Sequence, residues 1–477
     1  MDDLLLIFDV GSSALKAVLF SRTGAVVAAA SSPVPTATAT DRSAEQNVED
    51  WWKAALAATA ALPRREHVAA IALSGSMQNL IALSDDGTPA GPAVLYSDRR
   101  LDAADVEALG RELPDDYGLR TGNRLDAAHP ILKLMRLDHY YPAGAANAHF
   151  LFGAKDAVIE RLTGQRVIDP TTATTTGLFD IRTGAWDAGL AAAAGVSLER
   201  LPNILPADAV VAGLLEAPAA ALGLKPGIPV FNGAGDGAAA TWGAFADRPG
   251  SAYVYLGTTG WVAATTTLDE ADPPRDIYTL ADPIRPDHAI LISPFLTAGS
   301  ALDWLADIAA LPVETLLQAA EAEKSGPLFL PYLAGERSPF EDQAVRGAFL
   351  GLDRNHRPAA LCRSVLEGIA FAVRHNLENA GLPVSPLTAI GGGARSRLMR
   401  QLLADTLGRG VSVPPESRDV PALGIYRMVA GELGFAQVEP QHEAETTAPQ
   451  DTERAARRYR AYCEASRFAR DIAPSLT

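Results

Sequence analysis

Asp9-Val10-Gly11-Ser12-Ser13-Ala14-Leu15-Lys16 sets a carboxylate at the end of an apolar run and follows it with small donors. Glycine and serine let backbone N–H and hydroxyl groups approach a phosphate closely, and the carboxylate beside them can hold hydrated Mg²⁺. The same residues also suit an ordinary hairpin turn opened by Asp. Leu256-Gly257-Thr258-Thr259-Gly260 repeats this chemistry between two apolar runs, without the aspartate. Two such turns in corresponding places of two half-chains could hold the β- and γ-phosphates of a nucleotide between them.

Gly233-Ala234-Gly235-Asp236-Gly237-Ala238 fits the G-x-G-x-x-A pattern of dinucleotide binding. That pattern requires a ribose-binding acid about 20 residues further on, at the end of the next strand. Tyr253–Leu256 and then Gly257 stand there instead, so a dehydrogenase is excluded. The glycines can expose Asp236 in a tight loop, where it takes a proton from a substrate hydroxyl; an Asp-Gly turn without chemistry is the plainer alternative. Gly391-Gly392-Gly393-Ala394-Arg395-Ser396 joins an apolar strand to a helix. Three glycines let a flat ring or a ribose lie against backbone, whereas a simple connection needs only one. The eight histidines include no pair at metal-binding helical spacing, so no zinc site is expected.

These residues need elements to hold them. Short apolar runs alternate with longer amphipathic ones, which predicts an α/β protein. Strands are expected at Leu4–Phe8, Leu15–Phe20, Val26–Ala30, Ala69–Leu73, Leu80–Leu83 and Ile228–Asn232. A second set is expected at Ala252–Leu256, Trp261–Ala264, Ala289–Ile292, Leu328–Pro331 and Leu387–Ile390. The first three are close together and joined by Gly/Ser signals, so they read as antiparallel hairpins. Pro358 suits the first turn of a helix whose apolar face runs from Leu361 to Leu377 and includes Cys362, a core residue. Ser396 can cap another helix, which stops at Gly408 or Gly410. Ala246–Gly250 is the expected boundary between domains 1–245 and 246–477. Each half opens with a strand, a Gly-Ser/Thr turn and a strand, a weak internal duplication around one cleft. Ser31–Thr40 reads as a flexible surface segment, and the tail from Gln441 as ending in a surface helix.

Composition narrows the class. The chain has 477 residues, enough for two or three domains. With 41 basic against 57 acidic residues, its charge of −16 argues against a nucleic-acid or anionic-membrane partner. Hydrophobic residues at 48% and charged ones at 21% are globular values. Cys362 and Cys463 cannot make a disulfide framework. Met1-Asp2-Asp3 is acidic where a secretory signal would be basic. A soluble, cytoplasmic enzyme or ATPase is expected.

At this point the residues resemble the FGGY carbohydrate kinases across nearly the whole chain. Asp9–Lys16 is similar to the family's D-x-G-[TS]-S-x-x-K, and Lys155-Asp156 with Arg161-Leu162-Thr163-Gly164 to its K-D-x(4)-R-L-T-G segment. Phe329–Pro339 running on to Gly347–Leu352 resembles the xylulokinase and gluconokinase branch, and Leu366-Glu367-Gly368 with Ile390–Ser396 completes the pattern. The resemblance implies two ribonuclease H-like domains, as in actin and hexokinase, flanking a catalytic cleft. It implies Asp236 as catalytic base, and Asp9 with Asp236 facing Mg²⁺ through water. It implies ATP binding by Gly11, Ser12, Ser13 and Lys16, by Gly257, Thr258 and Thr259, and by Gly391, Gly392, Gly393, Ala394 and Ser396. Met77, Gln78 and Asn79 fall where xylulokinases have S-G-Q-M-H-G and bind sugar. Gln78 replaces the histidine, Asn79 replaces glycine, Gly237 follows the base where asparagine is common, and Ala360 departs from the helix signature. The implied activity is ATP-dependent phosphorylation of a small sugar, with a xylulose-like ketose first. Another sugar, a polyol, a sugar acid such as gluconate, or a nucleotide-binding protein without turnover are the alternatives. The partners implied are the sugar alone, with no nucleic acid or membrane, and a homodimer as one option.

Overall fold

The computed structural model describes residues 3–145, 147–271, 277–382, 387–414, 419–439 and 445–475. Strands β1 (Leu4–Val10), β2 (Ala14–Ser21) and β3 (Val26–Pro33) form the antiparallel meander that their spacing predicts. The β2–β3 turn closes through Gly24 at φ +80, a conformation that costs glycine little. Helix α1 (Val48–Ala60) starts where the Asn47 side chain accepts from the Glu49 N–H, and it covers one face of the meander. The chain then returns as β4 (Val68–Gly75), parallel to β1. Much later β5 (Pro229–Phe231) adds in parallel to β4. The order is β3-β2-β1-β4-β5, with Val210–Gly213 antiparallel at the edge.

Helix α2 (Asp236–Gly243) leads into the second sheet. Strands β6 (Ala252–Leu256), β7 (Gly260–Thr267), β8 (Tyr278–Ala281) and β9 (His288–Phe295) are antiparallel neighbours in the order β8-β9-β7-β6. After the long helix α3 (Pro358–Asn379), β10 (Leu387–Ile390) pairs in parallel with β6. Helix α4 (Arg397–Leu407) follows, and β11 (Val411–Val413) then adds in parallel to β10. The series β9-β7-β6-β10-β11 therefore repeats β3-β2-β1-β4-β5, a three-strand meander followed by two parallel strands. The internal duplication is a duplicated sheet. α4 ends at Gly408 in the left-handed region, one of the two stops expected.

Each sheet has its own core on its outer face, and a third core lies between them. It joins Leu5, Ile7, Ala70 and Phe231 of the first half to Tyr253, Ile290 and Ile390 of the second. Two helices fill it, α2 and α5 (Val420–Val429). Their backbones touch: a Cβ on Gly243 would lie 1.9 Å from the Val420 carbonyl oxygen, and one on Gly424 1.9 Å from that of Ala239. Phe20 packs on Tyr426, whose hydroxyl donates to the Arg22 carbonyl 404 residues away.

Two expectations change. Ser31–Thr40 is not a free segment: β3 continues to Pro33, and Ala37–Thr38 pairs with Ala44–Gln46. Those residues are polar or small because they occupy a sheet edge with one face in water. The tail does end in a helix, α6 (Thr452–Ile472), but Tyr459 and Tyr462 on it are buried against Tyr332 and Phe371. Gln441, where the tail is expected to begin, lies outside the described residues. Among the described residues no helix is long and apolar enough to cross a membrane.

Candidate active site

The parallel strands β1 and β4 end together. Asp9 stands opposite Ser74 and Val10 opposite Gly75, while Ala234 and Gly235 extend the same register beyond Ser74 and Gly75. Asp9 and Asp236 are thus brought to the carboxyl ends of two strands that both pair with β4, the edge where open α/β sheets bind ligands. Gly233 makes this possible. Its φ is +65, and a Cβ there would lie 1.7 Å from the Leu73 carbonyl oxygen. Asp236 itself is the first residue of α2 rather than part of a loop.

Asp236 is open to the cleft by surface area, yet protein encloses its other sides. Burial and, after it, the negative charge of Asp9 and Asp169 push its carboxyl up to about 7, against a hydrogen bond from the Gly237 N–H. Asp9 is also raised, by burial first, although Lys16 and a Ser74 hydrogen bond oppose the shift. Lys16 is Asp9's partner in the β1–β2 register and lies 3.8 Å from Asp419, just before α5. Nothing in the sequence around Asp419 marks it as a site residue. A carboxylate followed by Pro421 reads as a plain helix start, and only the fold brings it to Asp9 and Lys16.

Behind Asp236 is a closed charge cluster. Lys155 Nζ lies 2.8 Å from Asp156, 3.2 Å from Asp169 and 3.2 Å from Asn232 Oδ1, and all four side chains are buried. Burial opposes its charge, but the two carboxylates overcome that and hold the ammonium above its ordinary value. Asp169 also accepts from the N–H and hydroxyl of Thr172.

The two small-residue turns sit at equivalent ends of the two sheets. In the first, the Gly11 N–H donates to Ala14 O, and the Ser12 carbonyl is held by Gln46 Nε2 at 2.6 Å. In the second, the carbonyls of Gly257 and Thr258 accept from the N–H groups of Ala298, Gly299 and Ser300 at the start of the helix Gly299–Ala309. Thr258 and Thr259 remain exposed. Gly391 lies next to this turn at φ +90, where a Cβ would come within 2.6 Å of the Leu256 carbonyl oxygen. A Cβ on Gly393 would lie 2.9 Å from Leu256 Cβ, whereas one on Gly392 would meet nothing within 4 Å. Ala394 is buried, and the Ser396 hydroxyl accepts from the Met399 N–H as the cap of α4. These two shape the loop from behind.

Met77 lies over the base: a Cβ on Gly235 would meet its sulfur at 2.2 Å, and one on Gly237 its methyl at 3.2 Å. Gln78 has φ +61, unusual for a residue with a side chain. Its carbonyl is held by the ammonium of Lys133, a fully buried side chain that also donates to Leu95 O. Asn79 is buried, and its amide nitrogen folds back on Ser76. It sets the loop and offers no surface to the cleft.

Outward from Met77, the space beside Gly237 is bounded by Leu280 and Ile292. Two residues further along the same strands, Tyr278 and Pro294 line a cavity of 690 Å³ between the two halves, ringed by Arg42, Arg99, Arg124 and Arg337. Arg337 pairs with Asp126 across the halves, and the Tyr278 hydroxyl donates to the same carboxylate at 2.9 Å.

Comparison with known proteins places this arrangement. The sequence profile of the FGGY family of carbohydrate kinases, N-terminal domain, matches residues 4–243, and that of the C-terminal domain matches 252–430. The chain is similar to a xylulose kinase of Escherichia coli, 30% identical over 95% of each chain. It is similar to a gluconokinase of Bacillus subtilis, 28% identical over 89% of this chain and 86% of the relative. The crystal structure of a ligand-bound xylulose kinase from Lactobacillus acidophilus superposes with a TM-score of 0.89 at 25% identity, covering 100% of both chains.

Proposed function

Because the chain belongs to the FGGY family of carbohydrate kinases, we propose that it transfers the γ-phosphoryl group of ATP to a hydroxyl of a small sugar or sugar derivative, with Asp236 as general base. The observation that carries this reading is the carboxyl of Asp236, at the cleft floor beside Asp9 and raised to about 7. A base poised near neutrality combines a useful ionised fraction with a real affinity for the proton it takes.

The chain's own groups then divide the work. Gly11–Ser13 and Gly257–Thr259 would meet the nucleotide phosphates from the two sheets, and the gap at Gly392 would take the ring or ribose. Lys16 adds positive charge on the Asp9 side. Asp236 accepts the hydroxyl proton as the oxygen attacks phosphorus, and Met77 with Leu280 and Ile292 keeps water from that side. Mg²⁺ bound with the nucleotide would offset charge on the transferring group. Asp9 and Asp236 fit it through water, since burial is the main cause that raises both carboxyls and a cation beside them would favour their charged forms. Among the described residues no cluster of three ligating side chains exists, which suits an ion that takes one or two carboxylates and otherwise substrate oxygens.

ADP release in a coupled assay, screened over pentuloses, hexuloses, polyols and aldonates, tests the reading. ATP binding without turnover on any acceptor would leave a nucleotide-binding protein instead. A xylulose-like ketose and gluconate are the two lead acceptors, matching the relatives' activities.

Two further outcomes are expected. The ionised form of Asp236 is the active one, so kcat/KM should fall about tenfold per pH unit below about 7 and level off above it. A profile flat down to pH about 5 would remove Asp236 from the proton transfer. Gln78→His exchanges an amide donor and acceptor for an imidazole in a loop pinned by Lys133. Relative kcat/KM among acceptors should shift by about tenfold, roughly 1.4 kcal/mol for one exchanged hydrogen bond. An equal loss on every acceptor would show that this loop does not choose the substrate.

A further inference from the structure

We propose that the acceptor carries an anionic group, a carboxylate or a phosphate, at the end away from its reacting hydroxyl, and that Arg42 and Arg99 hold it. The inference rests on the kinase reading and names the substrate class of that same cleft.

The cavity is richer in cations than the protein as a whole. In a chain with a net charge of −16, Arg42, Arg99, Arg124 and Arg337 line one opening between its halves, against Asp102, Asp126 and Glu341. Arg337 is committed to Asp126. Arg42 and Arg99 have no such commitment. Their backbones are joined, the Arg99 N–H donating to Arg42 O at 3.0 Å, so the two exposed side chains start from neighbouring points of the lining. Arg42 does this at φ +70, a conformation that disfavours a residue with a side chain. Among the described residues neither guanidinium forms a salt bridge, and that of Arg99 donates only to the Tyr96 and Asp98 carbonyls. Asp102 is near Arg42, but its side chain already caps the helix Ala103–Gly110 through Ala104 N and Asp105 N. Asp126 is paired with Arg337 and Asp102 caps a helix, which leaves Glu341 as the remaining carboxylate of the lining; two arginines without a salt bridge there suit an anion supplied by a ligand.

The spacing also fits. Leu280 and Ile292 face Gly237, next to the base, while Tyr278 and Pro294 line the cavity two residues further along the same strands and face. At a strand rise of about 3.3 Å per residue the two stations are about 7 Å apart. A short polyhydroxy chain with its hydroxyl at Asp236 would thus extend its far end into the cavity that the arginines line. Field lines focus in such a cleft, so the arginines also steer an anionic acceptor toward it.

The test uses the full chain with Mg·ATP and compares xylonate and gluconate with xylitol and xylulose, and with a pentulose phosphate. Binding is read by calorimetry and turnover by ADP release. At least one anionic class should bind about tenfold or more tightly than its neutral counterpart. R42Q/R99Q should collapse that ratio about tenfold while the Kd for ATP holds, and added salt should shrink it in the wild type. Preference for an aldonate identifies a carboxylate site, and preference for the pentulose phosphate a phosphate site. Equal or tighter binding of the neutral acceptors, a ratio that survives R42Q/R99Q, or a loss of ATP affinity in that variant would each overturn the proposal. Anion binding that depends on the arginines, with no ADP released on any acceptor, would instead sink the kinase reading and leave the anion site standing.

Discussion

Asp236→Asn is expected to lower kcat by about 10²–10⁴, the range for loss of a positioned general base. The amide keeps the size of the carboxylate and cannot take a proton. Nucleotide affinity should change little, because the groups assigned to the phosphates lie on other turns. Stability should hold or rise. The raised carboxyl of Asp236 means that its charge is disfavoured here by burial and by Asp9 and Asp169, and the variant removes that charge. A large loss of activity together with an unchanged or higher Tm separates a catalytic role from a structural one. If kcat falls by no more than a factor of a few, Asp236 is only the first residue of a helix.

Lys155→Met is expected to cost about 3–5 kcal/mol of stability, the usual result of stripping one partner from a buried ionic cluster. Asp156 and Asp169 would be left with no counter-ion in a site closed to water. The sign of the pH dependence follows. Carboxyls stranded in this way titrate higher in the folded than in the unfolded chain. Their protonation therefore supports the fold at low pH, and that support is lost as pH rises through the folded value. The deficit of Lys155→Met in denaturant unfolding should accordingly be larger at pH about 8 than at pH about 5. A deficit below about 1 kcal/mol at both would mean that the cluster is not closed to water.

The chemistry set by local spacing was legible in the sequence. Strand, turn and strand at Asp9–Lys16 and at Leu256–Gly260 come from a few consecutive residues, and the structure builds both as hairpins. Gly408 as a helix stop and Ser396 as a cap are equally local. What was not legible depends on distant segments. Asp126 meets Tyr278 and Arg337 across separations of 152 and 211 residues, and no periodicity encodes such a meeting. Asp419 reads as a helix start until α5 is laid against β1. Asn79 looked like a sugar contact because its neighbours do, yet its burial depends on the Phe152 carbonyl that accepts its N–H. The left-handed backbone of Gln78 had no signal, since Gly or Asn is the usual mark of that conformation.

The core between the sheets has a bearing on biosynthesis. Leu5, Ile7, Ala70 and Ala72 are covered by α5, which is made only after residue 419. A ribosome releasing the first sheet exposes this apolar face while nearly half the chain is still unmade. At about 5–20 residues per second, the remainder takes about ten seconds or more to arrive. During that interval the nascent first half is a client for chaperones and a target for proteases. Expressed alone, it should be recovered in aggregates, and adding the second half in trans should recover some of it as a complex.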